Sequence, residues 1–327
     1  MKKLVPLWSL ALAAVLALAG ASSPAMAQDK PTTCRMGAYV TSVHDVKPED
    51  GTFKAVFWMW SVCPEVTDQP LMTLEFPNGQ DVSGELEDKQ ERTTGWWSAR
   101  KFAGTFRNDF ELGNFPFDRQ NLTIDVEEGI EDERQLLYTA DAEESGYSER
   151  INVQGWKLGT LSLKSGITTY GTTFGDPSLA DGSSRYASLA ISIPAERAHW
   201  VTFIQATLGL YIVALLVIAS LFIGVARESM FFGRMGVLGA ALVAVLSGVT
   251  SSGGLIGARQ GMHLLDHLNL ALLGLIAASA VWTIMARHRI AGGGVQADIQ
   301  RHDRIVSIVF VLAFVLANVA LLVVAQT

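Results

Sequence analysis

Only two cysteines occur in the 327 residues, Cys34 and Cys63. There is no C-x-x-C pair and no His/Cys cluster, so nothing suggests a metal site. There is also no nucleophile triad, no paired-carboxylate site and no phosphate loop. An enzyme reading therefore has no residues to carry it, and no cofactor is expected. The net charge is −7, and no nucleic-acid partner is expected.

The N-terminus has the form of a processing signal. A positive "MKK" precedes the apolar "LWSLALAAVLALAG", and "AMA" ending at Ala27 is an A-x-A cleavage site. Residues 1–27 read as a signal peptide, the other reading being an uncleaved anchor. Export places both cysteines in an oxidising compartment, which permits a Cys34–Cys63 disulfide and equally permits two separate thiols.

The charge is unevenly spread. Residues 28–198 hold 28 acids against 16 bases, a net of −12, whereas residues 199–327 hold 4 against 7, a net of +3. The acidic part reads as β. "GAYVTSV", "FKAVFWMW", "LMTLEF", "NLTIDV", "RQLLYTA", "WKLGTLSL" and "YASLAISI" are rich in β-branched and aromatic residues. The turn signals "PEDG", "PNG", "EEG", "EESG" and "GDPSLADGSS" separate them. Short strands at this spacing over about 170 residues predict an antiparallel β-sandwich.

From residue 199 the composition turns apolar. Four segments, roughly 201–224, 235–256, 264–286 and 305–325, approach the 20 or so residues of a spanning helix. The 225–234 and 287–304 connections carry six arginines between them, against the single Arg259 of the 257–263 connection. This asymmetry puts the first and third connections in the cytoplasm. The β domain and the C-terminus then lie outside, in agreement with the signal peptide.

The second apolar segment, "GRMGVLGAALVAVLSGVTSS", is rich in Gly, Ala and Ser. On a helix Gly236, Ala240, Val243, Ser247 and Thr250 share one stripe, small at one end and hydroxylic at the other. Such a stripe suits close helix packing as well as it suits a pore wall. A pore further requires several copies around an axis.

An exported β domain followed by four membrane helices resembles the pentameric ligand-gated ion channels, the Cys-loop receptor family, in its prokaryotic branch. "FPFDRQ" at Phe115–Gln120 looks like the family's F-P-F-D-x-Q loop. The family's bridging cysteines are replaced by Asn108 and Leu122. Trp156 in "GWKLGTLSL", the run "ISIPAERAHW", and the 32-residue spacing of Arg234 and Asp266 are similar to family features in the same order. The chain departs by lacking a proline in its first membrane helix, by Gly257 in the middle connection, and by Phe232-Gly233 where cation-selective members often carry Glu. Glu228 lies further back.

The resemblance implies a homopentamer embedded in the lipid of a bacterial inner membrane, its β domain and C-terminus in the periplasm, gated by a small-molecule agonist or by protons. The second membrane helix would line the pore, with Val243 as an apolar constriction that closes by dewetting. Phe115, Pro116, Phe117 and Asp118 would press on the membrane domain and couple it to Arg197 and to the connection before Asp266. An Asp118–Arg197 ion pair is expected there, the alternatives for Arg197 being Asp45 or Asp50 as partner or a place among lipid headgroups. The agonist would lie between neighbouring β domains, where Tyr170, Phe174 and Tyr186 form part of an aromatic cage suited to a cationic amine. Trp58 and Trp60 would come from the neighbour, the alternative for each aromatic being packing. His263 and His267 read either as a proton sensor or as a solvated or headgroup-level pair. Five copies of −12 give −60, much of it screened beyond about 8 Å, and this mouth favours cations. The rival reading is a non-conducting envelope receptor or adhesion module with a four-helix anchor.

Overall fold

The computed structural model describes residues 30–65, 68–179, 182–256 and 262–326. The expected signal peptide at 1–27 and Gly257 lie outside the described residues. So do the side chains of Thr250 to Ile256.

The β domain opens with β1 (Thr32–Lys47) and β2 (Thr52–Cys63), antiparallel with Tyr39 opposite Trp58. The turn between them closes through Gly51 at φ 66°, a conformation glycine takes without cost. Along β2, Phe53, Ala55, Phe57 and Met59 are buried while Lys54, Val56, Trp58 and Trp60 face the other way. This period of two follows from the pleat. The further strands are β3 (Leu74–Glu75), β4 (Gly79–Arg92), β5 (Gly95–Arg107), β6 (Arg119–Asp132), β7 (Leu136–Ala140), β8 (Gly146–Tyr147), β9 (Trp156–Leu158), β10 (Ser162–Tyr170) and β11 (Ser184–Arg197).

One sheet runs β4-β5-β2-β1-β7, with β8 also on β1. The second runs β10-β11-β6-β3, with β9 also on β11. Both contribute to one core. Phe53, Phe57, Phe102 and Phe106 come from the first sheet, and Leu122, Ile124, Ile191 and Ile193 from the second. Cys34 and Cys63 are directly opposed on β1 and β2 and joined as a disulfide, which settles the open choice between bridge and thiols.

Several local expectations are corrected. Strands β4 and β5 carry no apolar alternation strong enough to announce them. β4, "GQDVSGELEDKQER", is an edge strand exposed along most of its length, and such charge blunts an edge against pairing with another chain. "LMTLEF" is not one strand, because Pro70 opens a one-turn helix, α1 (Pro70–Thr73), and leaves β3 only two residues. "EEG" lies inside β6 rather than at a turn. "WKLGTLSL" splits into β9 and β10 at Gly159, whose N–H donates to the Pro194 carbonyl at 2.7 Å.

Four long helices follow: α2 (His199–Leu221), α3 (Glu228–Ile256), α4 (Leu264–Ala291) and α5 (Gln296–Gln326). All four are long and apolar enough to cross a membrane. The shortest has 23 residues, about 35 Å at 1.5 Å per residue, against a hydrocarbon thickness of about 30 Å. The connections are shorter than expected. Only 222–227 and 292–295 intervene, so Arg234, Arg287, Arg289, Arg301 and Arg304 sit on helices. The helices simply continue beyond the point where the apolar run stops.

The helices share an apolar core in which Leu238, Ala241 and Val245 of α3 meet Ala214, Val217 and Leu221 of α2 and Leu272, Leu275 and Ile276 of α4. A second cluster joins the two parts of the chain. It contains Phe115 from the β domain with Phe203, Leu264, Leu265, Leu268 and Ala325 from the helices.

Candidate functional site

The junction is built from the segment between β5 and β6. The Phe115–Pro116 peptide is cis, and the turn is tight: the N–H of Phe117 donates to the Asn114 carbonyl at 2.7 Å. Phe115 and Phe117 are thereby carried onto the helices. Phe117 packs against Phe203 and Trp200 at ring distances of 5.4 and 5.7 Å. Phe115 is buried, and burial of one such ring stabilises by about 1.5–3 kcal/mol. The N–H of Leu264, at the start of α4, donates to the Gly113 carbonyl at 3.2 Å.

Beneath the aromatic layer Asp118 is completely buried and Arg197 nearly so, with side chains 0% and 13% exposed. Arg197 Nε donates to Asp118 Oδ1 at 2.6 Å, and Nη2 donates to Oδ2 at 3.0 Å. The fork geometry of a guanidinium matches a carboxylate in this two-pronged way. Gln120 Nε2 donates to the same carboxylate at 2.8 Å. The guanidinium also lies over the rings of Trp156 at 4.2 Å and Phe115 at 4.8 Å. The other expected partners of Arg197 are engaged elsewhere: Asp45 with Lys54 at 2.8 Å and Asp50 with Lys47 at 3.7 Å.

Asp266 lies in the first turn of α4, two residues after Leu264. It closes a capping box with His263: its N–H donates to His263 Nδ1 at 3.2 Å, and its carboxylate accepts from the His263 N–H at 3.1 Å. His263 is buried at 2% exposure under Phe115, whose ring centroid is 6.3 Å away. A solvated histidine pair is thus not what the fold makes. Only His267 is exposed, its Nδ1 donating to the His263 carbonyl at 2.9 Å.

On α3 the buried stripe is Arg234, Leu238, Ala241 and Val245, spaced +4, +3, +4. Gly236, Ala240, Val243 and Ser247 lie about half a turn away around the helix, and all four are exposed, Val243 at 64%. The side chain of Thr250 lies outside the described residues. Leu242, beside the stripe, is 42% exposed.

The aromatic trio of the β10–β11 hairpin does assemble. Tyr170, Phe174 and Tyr186 have ring centroids 5.4, 6.1 and 6.5 Å apart. Phe174 is 64% exposed. The Tyr170 hydroxyl donates to Glu127 Oε2 at 3.1 Å, and burial followed by that carboxylate pushes the phenol up from its ordinary value. Trp58 and Trp60 lie on the outer face of the other sheet. Trp60 is committed within its own chain: its ring covers Gly37, and its Nε1 donates to Asp141 Oδ2 at 3.1 Å.

Two buried polar groups were not foreseen. Arg234 on α3 donates from Nη1 to both Asp303 oxygens at 3.1 and 3.0 Å, and Trp282 Nε1 donates to Asp303 Oδ1 at 2.9 Å. Arg234 and Asp303 are 0% and 6% exposed, so α3, α4 and α5 are tied together by a buried ion pair. No signal in the sequence names the pair, since Arg234 and Asp303 both lie just outside the apolar runs. In the β domain, Glu128 is buried and accepts from Tyr138 Oη at 2.6 Å and Thr73 Oγ1 at 2.8 Å.

Among the described residues no group of His, Cys, Asp and Glu is arranged to hold a metal ion. No family model and no curated protein matches the chain.

Proposed function

We propose that the chain is one subunit of a homopentameric ligand- or proton-gated ion channel of the bacterial inner membrane. In this reading the two sheets form a periplasmic sandwich, α3 lines a pore on the fivefold axis, and cations are the favoured permeant ions. The observation that carries it is the division of α3. Its Arg234–Val245 stripe packs on α2 and α4, while the Gly236–Ser247 stripe opposite faces away from its own subunit. A helix that keeps its small residues off its own bundle has them available for water and for copies of itself.

The junction supplies the route from ligand to gate. Agonist at the Tyr170, Phe174 and Tyr186 group, or a proton on the β domain, shifts β10 and β11. Arg197, at the end of β11, holds Asp118 through the ion pair. Phe115 and Phe117 then press on α2 and on the start of α4. Packed interfaces of this kind pass small shifts as discrete rearrangements. The division of α3 supports this over a non-conducting receptor in that the stripe, turned from its own bundle, carries Val243 and Ser247 as well as the small residues Gly236 and Ala240.

Native mass spectrometry of the protein in detergent tests the assembly. A fivefold mass supports the reading, and a monomer or dimer as the only species overturns it.

A further inference from the structure

The N-terminal half of α3 carries one large side chain on the line of Val243, the face that its own subunit leaves uncovered. At about 100° per residue, Phe232, Gly236, Gly239 and Val243 fall within about 40° of one another. All four are exposed, Phe232 at 62% and Val243 at 64%. A Cβ at either glycine would meet nothing within 4 Å, so the face between the two large residues is bare. Phe232 and Val243 lie about 16 Å apart along the helix axis.

The exposed ring is supported from behind. Phe231 is half-buried, and its ring meets that of Phe232 edge to face at 5.3 Å. The charges nearby are turned aside. Arg234 lies half a turn round the helix from Val243, is 0% exposed, and has its charge matched by Asp303. No ring of arginines therefore faces the uncovered side. Glu228, in the first turn of α3, is exposed one turn before Phe232, about 60° from the line of Val243. On that line itself, the N-terminal half of α3 offers an aromatic ring and no carboxylate.

Resting on the channel reading, we propose that five Phe232 rings form a second narrowing of the pore, at its cytoplasmic mouth, and set its preference for cations through their π faces. The face of an aromatic ring carries negative potential. A cation passing within about 6 Å of it is attracted, and an anion is repelled. Val243 then gates and Phe232 selects, with a bare stretch lined by Gly236 and Gly239 between them. Selection of this kind needs no acid on the pore wall.

The test is the K⁺/Cl⁻ permeability ratio, read from reversal potentials of the purified full-length protein in a planar bilayer under a KCl gradient. One exposed cation–π contact corresponds to a factor of about two to five. Phe232→Leu keeps an apolar side chain and removes the π face, so the ratio is expected to fall by about that factor or more. Phe232→Tyr keeps the face and should restore the ratio that Phe232→Leu loses. Phe232→Ala should also raise unitary conductance, because the narrowing is gone. Glu228→Gln should lower the ratio less than Phe232→Leu does. A second readout is independent of selectivity. Both native cysteines are held in the disulfide, so Phe232→Cys supplies a single free thiol, and a thiol-reactive cation in the bath should block its current. An unchanged ratio in Phe232→Leu overturns the proposal, and so does a Phe232→Cys current that the reagent leaves intact. A larger loss in Glu228→Gln than in Phe232→Leu would assign selection to the carboxylate and equally overturn it. Current with an unmoved ratio removes this proposal alone, whereas silence in wild type and every variant removes the channel reading and this proposal with it.

Discussion

Arg197 and Asp118 stand 79 residues apart in sequence and form a two-pronged ion pair at 2.6 and 3.0 Å. Arg197 ends the last strand of the β domain, and Asp118 ends the turn that packs on the helices. The pair therefore lies where the two halves of the chain meet, closed over by the rings of Phe115 and Trp156.

Breaking that pair from one side strands a buried charge, which typically costs about 3–5 kcal/mol. Asp118→Ala and Arg197→Ala should each lower thermal stability sharply and impair assembly. The double change should cost less than the sum of the two. A mutant cycle on melting in detergent checks this, and strict additivity would mean that the pair carries no coupling.

The Arg234–Asp303 pair makes the same argument inside the helical part. Asp303→Asn keeps the shape but leaves Arg234 without its counter-charge, and a loss of about 3–5 kcal/mol is expected. Asp303→Asn with Arg234→Gln should recover part of it. Thermal denaturation of the three variants distinguishes a coupled pair from two independent sites.

The Cys34–Cys63 bridge spans 29 residues of sequence, a loop for which the chain-entropy model gives about 3 kcal/mol. Cys34→Ser with Cys63→Ser should fold with that deficit. A reductant should leave the native protein unaffected, since both sulfurs are buried. Rapid reduction without prior unfolding would contradict the burial.

Glu131 tests the electrostatics of the acidic β domain. Burial, then Glu128 and Asp68, raise its carboxyl above the ordinary value of 4.5. An acid whose folded pKa is raised holds its proton longer in the folded state than in the unfolded one. Its contribution to stability is thus fully present below pH 4.5 and is lost as pH rises through the folded value. Glu131→Gln should raise the melting temperature at pH 7 and leave it unchanged at pH 3. Melts at both pH values decide the sign.

The parts of the fold that could be read from sequence were those with one dominant signal. The four apolar helices declared themselves by length, and β2 by the alternation of Phe53, Ala55, Phe57 and Met59. β4 stayed hidden because an edge strand wet along most of its length has no apolar period, and β5 gave no alternation strong enough to name. The Asp118–Arg197 contact could be anticipated only through the resemblance, since nothing local to either residue names the other. The Arg234–Asp303 pair is not legible because both residues lie beyond the apolar runs, and only the continuation of the helices past those runs brings them together. Glu128 was hidden by the "EEG" run, which has the composition of a turn and the position of a buried strand.

Current carried by purified protein across a planar bilayer under a salt gradient decides whether the protein conducts. Discrete unitary currents are expected, with a reversal potential on the cation side. Val243→Ser should raise open probability by wetting the apolar level of the pore, and Leu242→Ser should do so less. A bilayer that stays silent with both wild type and Val243→Ser, from protein verified as pentameric, would contradict conduction.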